Sequence, residues 1–456
     1  LDIRRAAARM RGLPPVEPVS TADSLGQVLR RWRQRDFELR RVTVAAIAAA
    51  WGYSEPLLDA SLDALLSPFS DEALAACVAS VISNPGSAGR EVSEIVGEKT
   101  RKGREKISPE IIGMVMPGNL PGAGLHEVVI GLLSGKALLL KTSAAEPFFF
   151  AGLARTIRQV DEALADHLTV FNWGREREDL NAAMRASCDW LVAYGDDHTL
   201  RHLKEGDGIG AVGEGPAVGE AERPPLKAGF GQRFSGAYVA ADGFAANGDA
   251  SKRTAMIEAL ALDVSLFEQA GCLSPQHIFV QDPQPGRSLL SGASGVGTAR
   301  GNAYELAAGL AAVLERTTLP PPRRLGLETA AALRRVRESA RWRMLGGASV
   351  AMWEGERLSW TVIYDEAALF TSSPGFRTVT VSAVADAGEL ARRLVEVSGR
   401  LEAFALAGAD LREVECCLVE HGASYLCAPG AMQSPPLAWR HGGGVFLDAL
   451  NGVRKS

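Results

Sequence analysis

From Ile111 onward the chain repeats one pattern: a short apolar run, a turn of small residues, then a stretch with apolar positions three and four apart. The first predicts a strand and the last a helix packed along one face. Ile111 to Met116 leads through PGNLPGAG into a helical run ending near Ser134, and Ala137 to Lys141 leads through TSAAEP into one ending near Leu164. Leu168 to Asn172 leads through WGRERED into a helix ending near Ala186, and Asp189 to Tyr194 leads through GDDHT into another. Four consecutive strand–helix units predict a parallel, doubly wound sheet with right-handed crossovers. Ligands gather at the carboxyl ends of such strands, here Asn119, Lys141, Gly174 and Gly195. Helix N-termini in the same turns offer N–H groups to phosphate.

Upstream, residues 1 to about 105 read as helical, with Ser24 to Gln34, Val44 to Trp51 and Asp71 to Ser83 carrying the mixed three and four spacing. Downstream, Gly206 to Pro225 is rich in Gly, Pro and Glu and marks a boundary. A second domain follows. It has strands at Gly236 to Ala240, Trp360 to Tyr364 and Arg377 to Ala383, and helices at Asn302 to Arg316, Leu327 to Trp342 and about Glu389 to Ser398. The expected divisions are 1–231 (helical region and nucleotide-binding domain), 232–424 (second α/β domain) and 425–456, a turn-rich closing and oligomerisation segment. Two glycine motifs are set aside. Gly208 to Gly213, GIGAVG, has no strand leading in and a Glu-Gly-Pro where a helix should start; Gly131 to Lys136, GLLSGK, is one residue short of a P-loop and is followed by Ala137 instead of Ser or Thr.

Composition narrows the function classes. At 456 residues the chain is too long for one small core, and 46% hydrophobic with 23% charged residues is ordinary for a soluble globular protein. A net charge of −5 with no basic tail gives no reason to expect nucleic acid as a partner. The most apolar window, Val128 to Leu140, is short and carries Lys136, so no membrane span is expected. The first residue is leucine, and Leu1 to Pro14 is arginine-rich without the apolar core of a secretory signal. Six cysteines without CxxC spacing and seven histidines without an HExxH pair predict neither a disulfide framework nor a protein-bound metal, and a reducing cytoplasm fits them.

The stretch Asp263 to Val280, DVSLFEQAGCLSPQHIFV, carries the candidate chemistry. Met256, Leu260, Val264 and Phe267 predict an amphipathic helix ending near Gly271, while Pro275 stops any helix and His277 to Val280 reads as a strand with His277 packed inside. Cys272 on a tight turn between two anchored elements is held yet reachable, which suits a nucleophile. A lone cysteine is also a common core residue, so local pattern leaves both readings open.

Taken in order, these motifs resemble the aldehyde dehydrogenase superfamily and, within it, the acyl-CoA reductases of the bacterial luminescence type (LuxC), over roughly residues 105 to 450. The resemblance implies a Rossmann-type parallel-sheet cofactor domain plus a second α/β catalytic domain, and a homo-oligomer. A strand ending in Pro-x-Asn is MPGNLPG here, which implies cofactor contacts at Met116, Pro117 and Gly118 and an oxyanion donor at Asn119. The next strand ends in LLLKTS, placing Lys141 on the adenosine ribose with Thr142 and Ser143 beside it; the later turns supply Gly174, and Gly195 with Asp196 in YGDDHT. The phrase Gln-x-Gly-Cys, EQAGCLSPQ here, implies that Cys272 is the nucleophile.

Departures from the superfamily pattern refine this. Hydrolytic members carry a Glu-Leu-Gly-Gly general base, where this chain has LKAGFGQRF with no carboxylate, so a thiol partner is favoured over water. The EIFGP motif that grips the nicotinamide ribose is replaced by SSPGF, Ser372 to Phe376. Ala144, three past the lysine, places no acid against a ribose 2′-phosphate, so NADPH is expected, with NADH the alternative. The implied reaction is reduction of an acyl-CoA or carrier-protein thioester to an aldehyde, without metal. A CoA-acylating aldehyde dehydrogenase running oxidatively, or a non-catalytic acyl- or partner-binding relative, are the rival readings. His441, in WRHGGG, reads as a surface histidine in a glycine turn, with proton donor as its other reading.

Overall fold

The computed structural model describes residues 2–79, 110–195, 226–282, 301–317 and 325–450. Asp196, the GIGAVG stretch, the whole Gly206 to Pro225 boundary and the sequence TLPPPRR at 318–324 lie outside the described residues. The chain forms two compact units, one of Leu1–Ile47, Leu66–Gln232 and Pro436–Ser456, the other of Ala48–Leu65 and Arg233–Pro435.

The first unit is built on a sheet of β1 (Ile111–Val115), β2 (Ala137–Thr142), β3 (Leu168–Asn172), β4 (Trp190–Tyr194) and β5 (Leu226–Phe230) in the order β3-β2-β1-β4-β5. Every pairing is parallel, with Val115 opposite both Lys141 and Ala193 and Thr142 opposite Asn172. Strands covered on both faces need apolar residues throughout, which is why IIGMV and ALLL do not alternate. One cover is made by the helices Ile3–Arg11 and Glu178–Ser187, whose Ile3, Met10, Leu180 and Met184 pack on Ile111, Leu139 and Leu191. The apolar window of the sequence resolves into the helix Leu125–Leu133, buried at all nine positions, followed by β2. Burying one such Leu, Ile or Val contributes roughly 1.5–3 kcal/mol. The chain runs outward from β1 to β3 and then returns to place β4 on the other side of β1. The carboxyl ends of β1 and β4 are therefore the switch point where such sheets open a crevice.

The second unit holds β6 (Phe234–Val239), β7 (Pro275–Gln281), β8 (Val350–Glu354), β9 (Thr361–Asp365), β10 (Thr378–Val384), β11 (Leu401–Ala407) and β12 (Tyr425–Cys427). Their order is β12-β11-β6-β7-β10-β9-β8, parallel except for the antiparallel β8–β9 edge. Phe234, Tyr238, Phe279, Phe370 and Phe404 fill one core of this unit. The helix Ala250–Ser265 buries Leu260 and Val264 as its spacing predicts. It stops at Ser265, though, and does not run on to Gly271: Phe267, Glu268 and Gln269 adopt φ of 51°, 51° and 62°. Among the described residues, no helix is long and apolar enough to cross a membrane.

Candidate active site

The carboxyl ends of β1 to β4 collect the strand-end residues that the sequence singles out. Met116 leaves β1 buried, its N–H donating to Lys141 O at 2.9 Å, and Pro117 and Gly118 lead to Asn119, which stands exposed. A Cβ on Gly118 would lie 2.3 Å from Ser143 Oγ, so the turn after β1 rests on the turn after β2 only because position 118 has no side chain. Lys141 is half-buried. Burial draws its ammonium below the ordinary lysine range, and Glu176, on the turn after β3, pulls the other way. Thr142 is buried and donates to Phe171 O at 3.1 Å. Gly174 O accepts from Arg177 N at 3.1 Å, closing the turn that carries Glu176, and Gly195 N donates to Phe230 O at 3.2 Å.

Two side chains escaped the sequence reading. The Asn172 amide donates to Thr142 Oγ1 at 3.0 Å and Ser143 O at 2.9 Å, pinning the turn after β2; its only signal is a polar residue closing an apolar strand. Glu146 is buried, and its Oε1 accepts from Phe148 N at 3.0 Å and Phe149 N at 2.9 Å. Glu146 therefore takes, at the helix after β2, two of the N–H groups expected to be offered to phosphate. The helix Phe149–Val160 is capped by this carboxylate, the helix Glu178–Ser187 opens on Glu178 and Asp179, and Leu125–Leu133 carries Glu127 in its first turn. The last two helices start without a side-chain cap bond, and Glu127 and Asp179 pair instead with His441 and Arg177.

His441 is likewise not the surface histidine of a glycine turn. It begins the helix His441–Leu450, its Nδ1 lies 2.7 Å from Glu127 Oε1, and its ring stacks on Phe230 and Trp439 with centroids 4.3 and 4.5 Å away. Burial pushes the Glu127 carboxyl up, but attraction to His441 and the hydrogen bond between them prevail and hold it below the usual carboxylate range.

Cys272 belongs to the second unit. Ser274 N donates to Gly271 O at 3.1 Å, which makes 271–274 a β-turn with Cys272 at its second position. Both ends of the turn are rooted. Cys272 O accepts from the Ser235 hydroxyl of β6 at 2.6 Å, and Ser274 Oγ accepts from Gln433 Nε2 at 3.1 Å. The thiol is free and half-buried. Burial pushes the thiols of Cys77, Cys188, Cys417 and Cys427 up to about 11, 12, 11 and 12, with Asp263 adding to the effect at Cys427, which keeps all four protonated near neutrality.

The left-handed turn at 267–269 sits directly upstream, and a non-glycine residue in that region costs roughly 1–2 kcal/mol. Contacts from distant segments offset the cost. Phe267 N donates to Ser61 Oγ at 2.9 Å, and Glu268 O accepts from Phe376 N at 2.9 Å. The Glu268 carboxylate, 1% exposed, pairs with the Arg377 guanidinium, 0% exposed, at 3.5 Å. Removing one partner of such a buried pair typically costs about 3–5 kcal/mol. The SSPGF stretch thus lies on the Cys272 segment: Ser373 N donates to Gln276 Oε1 at 3.0 Å and Thr371 N to His277 Nδ1 at 3.1 Å. His277 is buried as its strand position predicts. Its Nε2 faces Ser382 Oγ at 2.9 Å, and that hydroxyl donates to Asp365 O, so the ring donates through Nε2 and stays neutral. Burial, with Arg393 nearby, pulls its pKa down to about 3. Asp263, in the last turn of the preceding helix, accepts from Gly430 N at 2.6 Å and Met432 N at 3.1 Å, while burial pushes its carboxyl up to about 7.

Solved aldehyde dehydrogenases share this fold. HpcC from Thermus thermophilus matches with a TM-score of 0.60 at 14% identity, over 98% of this chain and 83% of that one. Aldehyde dehydrogenase 21 from Physcomitrella patens matches with a TM-score of 0.62 at 13% identity, over 98% and 86%. A salicylaldehyde dehydrogenase from Pseudomonas putida gives 0.61 at 14% identity, over 94% and 82%. Identities this low speak for the fold alone, and the fold is aldehyde dehydrogenase-like. No curated protein is similar in sequence. Residues 19–453 match the acyl-CoA reductase (LuxC) family profile; the chain belongs to that family and is an oxidoreductase.

Proposed function

We propose that this protein reduces an acyl thioester to the aldehyde, with Cys272 carrying the acyl group and NADPH as the hydride donor. The observation that supports it best is the Cys272 turn, a free, half-buried thiol rooted at both ends, in a chain of the acyl-CoA reductase family. Cys272 as thiolate attacks the thioester carbonyl, and the tetrahedral adduct expels CoA thiolate to leave an acyl-enzyme. Asn119 is the proposed donor to the oxyanion. Lys141 and Ser143, an ammonium and a hydroxyl at the carboxyl end of β2, suit the ribose of a nicotinamide nucleotide, with the buried Thr142, bonded to Phe171 and Asn172, holding the turn beneath them. When bound, that nucleotide supplies hydride to the acyl carbon. The resulting Cys272 adduct, a thiohemiacetal alkoxide, collapses: its oxygen re-forms the C=O bond, the C–S bond breaks, and the aldehyde leaves the thiolate regenerated.

Residues 226–234 carry no carboxylate, so water is not activated against the acyl-enzyme. An acyl-CoA is the proposed donor, in a homo-oligomer of the cytoplasm. NADH is the second reading, favoured by Glu176: a carboxylate near Lys141 accepts from a ribose diol and repels a 2′-phosphate, whereas Ala144 permits that phosphate.

The test is nucleotide oxidation measured across acyl-CoAs of increasing chain length and carrier-protein thioesters, with NADPH and NADH compared. Thioester-dependent oxidation with aldehyde formation is expected, and its absence with every thioester would sink the proposal. Glu176→Ala is expected to raise kcat/KM for NADPH over NADH by about twofold to fivefold, the scale of one exposed charge. An unchanged ratio would remove Glu176 from ribose recognition.

A further inference from the structure

Gln269 lies three residues before Cys272 and is 4% exposed. Its amide bonds in three directions. Nε2 donates to Pro275 O at 2.6 Å and to Thr378 O at 2.8 Å, while Oε1 accepts from Thr378 N at 2.8 Å and lies 3.3 Å from the Ser373 hydroxyl. Pro275 opens β7 and Thr378 opens β10, the strand beside it in the sheet. An amide has two N–H groups and one carbonyl oxygen, so this side chain is saturated. The bond to Pro275 spans the Cys272 turn, closing a small ring of chain, 269–275, that contains the cysteine.

We propose that Gln269 is a positioning residue for Cys272, stapling this ring to the sheet so that the thiol meets its substrate from one fixed place. The inference rests on Cys272 being the nucleophile. Ser373 supports the staple from outside: its hydroxyl lies 2.6 Å from Thr378 O, accepts from Gly375 N at 3.0 Å, and comes from the loop that also brings Arg377 to Glu268. Gln269 itself is too buried to touch a bound thioester. Its effect is on where the sulfur stands.

Positioning and mere stability separate in one comparison. Iodoacetamide reaches a thiol from many directions, whereas acyl transfer from a bound thioester needs one approach, and a misplacement of an ångström can lower such a rate by about a hundredfold. The experiment uses the full chain as wild type, Gln269→Glu and Ser373→Ala. It follows acylation of Cys272 by acyl-CoA without nucleotide, and alkylation of Cys272 by iodoacetamide, both by peptide mass, with thermal unfolding alongside. Gln269→Glu keeps the acceptor for Thr378 N and loses both donated bonds. It is expected to slow acylation about tenfold or more while alkylation changes less than about threefold. Ser373→Ala is expected to shift the ratio of the two rates the same way by a smaller factor. Wild-type acylation in Gln269→Glu, or equal loss of both rates, overturns the proposal. Should Gln269→Glu not fold, an unchanged ratio in Ser373→Ala does so. Failure of the underlying reading looks different, since the wild type itself then gains no acyl group on Cys272.

Discussion

Cys272→Ala is expected to abolish reduction of acyl thioesters, lowering turnover by on the order of 10⁴-fold or more, the scale of losing an attacking nucleophile. The fold should survive the change. Cys272 anchors its turn through its backbone oxygen, which accepts from the Ser235 hydroxyl at 2.6 Å, a bond that alanine keeps. Thermal unfolding within a degree or two of the wild type, together with lost activity, separates chemistry from stability. The same variant should fail to take up an acyl group from acyl-CoA, while on the proposed mechanism, in which no base delivers water to the adduct, the wild type accumulates about one per chain when nucleotide is withheld. Turnover by Cys272→Ala within tenfold of wild type would overturn the mechanism.

Asn119→Ala is expected to lower kcat by about 10²–10³-fold, corresponding to roughly 3–4 kcal/mol, the usual loss for one oxyanion donor. The residue stands exposed on the turn after β1, so little stability should go with it. An amide that stabilises charge only as it develops acts on the transition state, and the loss should fall on kcat with KM for the thioester nearly unchanged. A matching loss in KM alone, or no loss, would return Asn119 to the role of a turn residue.

Much of this site was legible in the sequence because its signals are local. Alternation of apolar runs with small-residue turns singled out Asn119, Lys141, Gly174 and Gly195 at or just past the strand ends, and the strand read at His277 to Val280 lies within β7, which starts two residues earlier at Pro275. Local pattern left Cys272 open between core residue and nucleophile; its proposed role and the missing base came from the family resemblance. What the pattern did not carry was partnership. Glu146 looks like a surface acid in TSAAEP, yet it is buried and caps a helix; His441 looks like a loop residue among glycines, yet its partner Glu127 is 314 positions away. β5, β8, β11 and β12 also went unread, and the edge strands β5, β8 and β12 are short.

The cysteine segment shows the division most clearly. The sequence by itself determined that a helix, a turn bearing Cys272 and a strand follow one another, since periodicity, glycine and proline act within a few residues. It continued the helix through Phe267, Glu268 and Gln269, as the propensities of those residues favour. Only the tertiary structure turned the three left-handed, because the bonds that hold them come from Ser61, Phe376, Arg377 and Thr378, partners more than a hundred residues away. A strained backbone persists where distant contacts outweigh local preference, and no window of neighbouring residues contains those contacts.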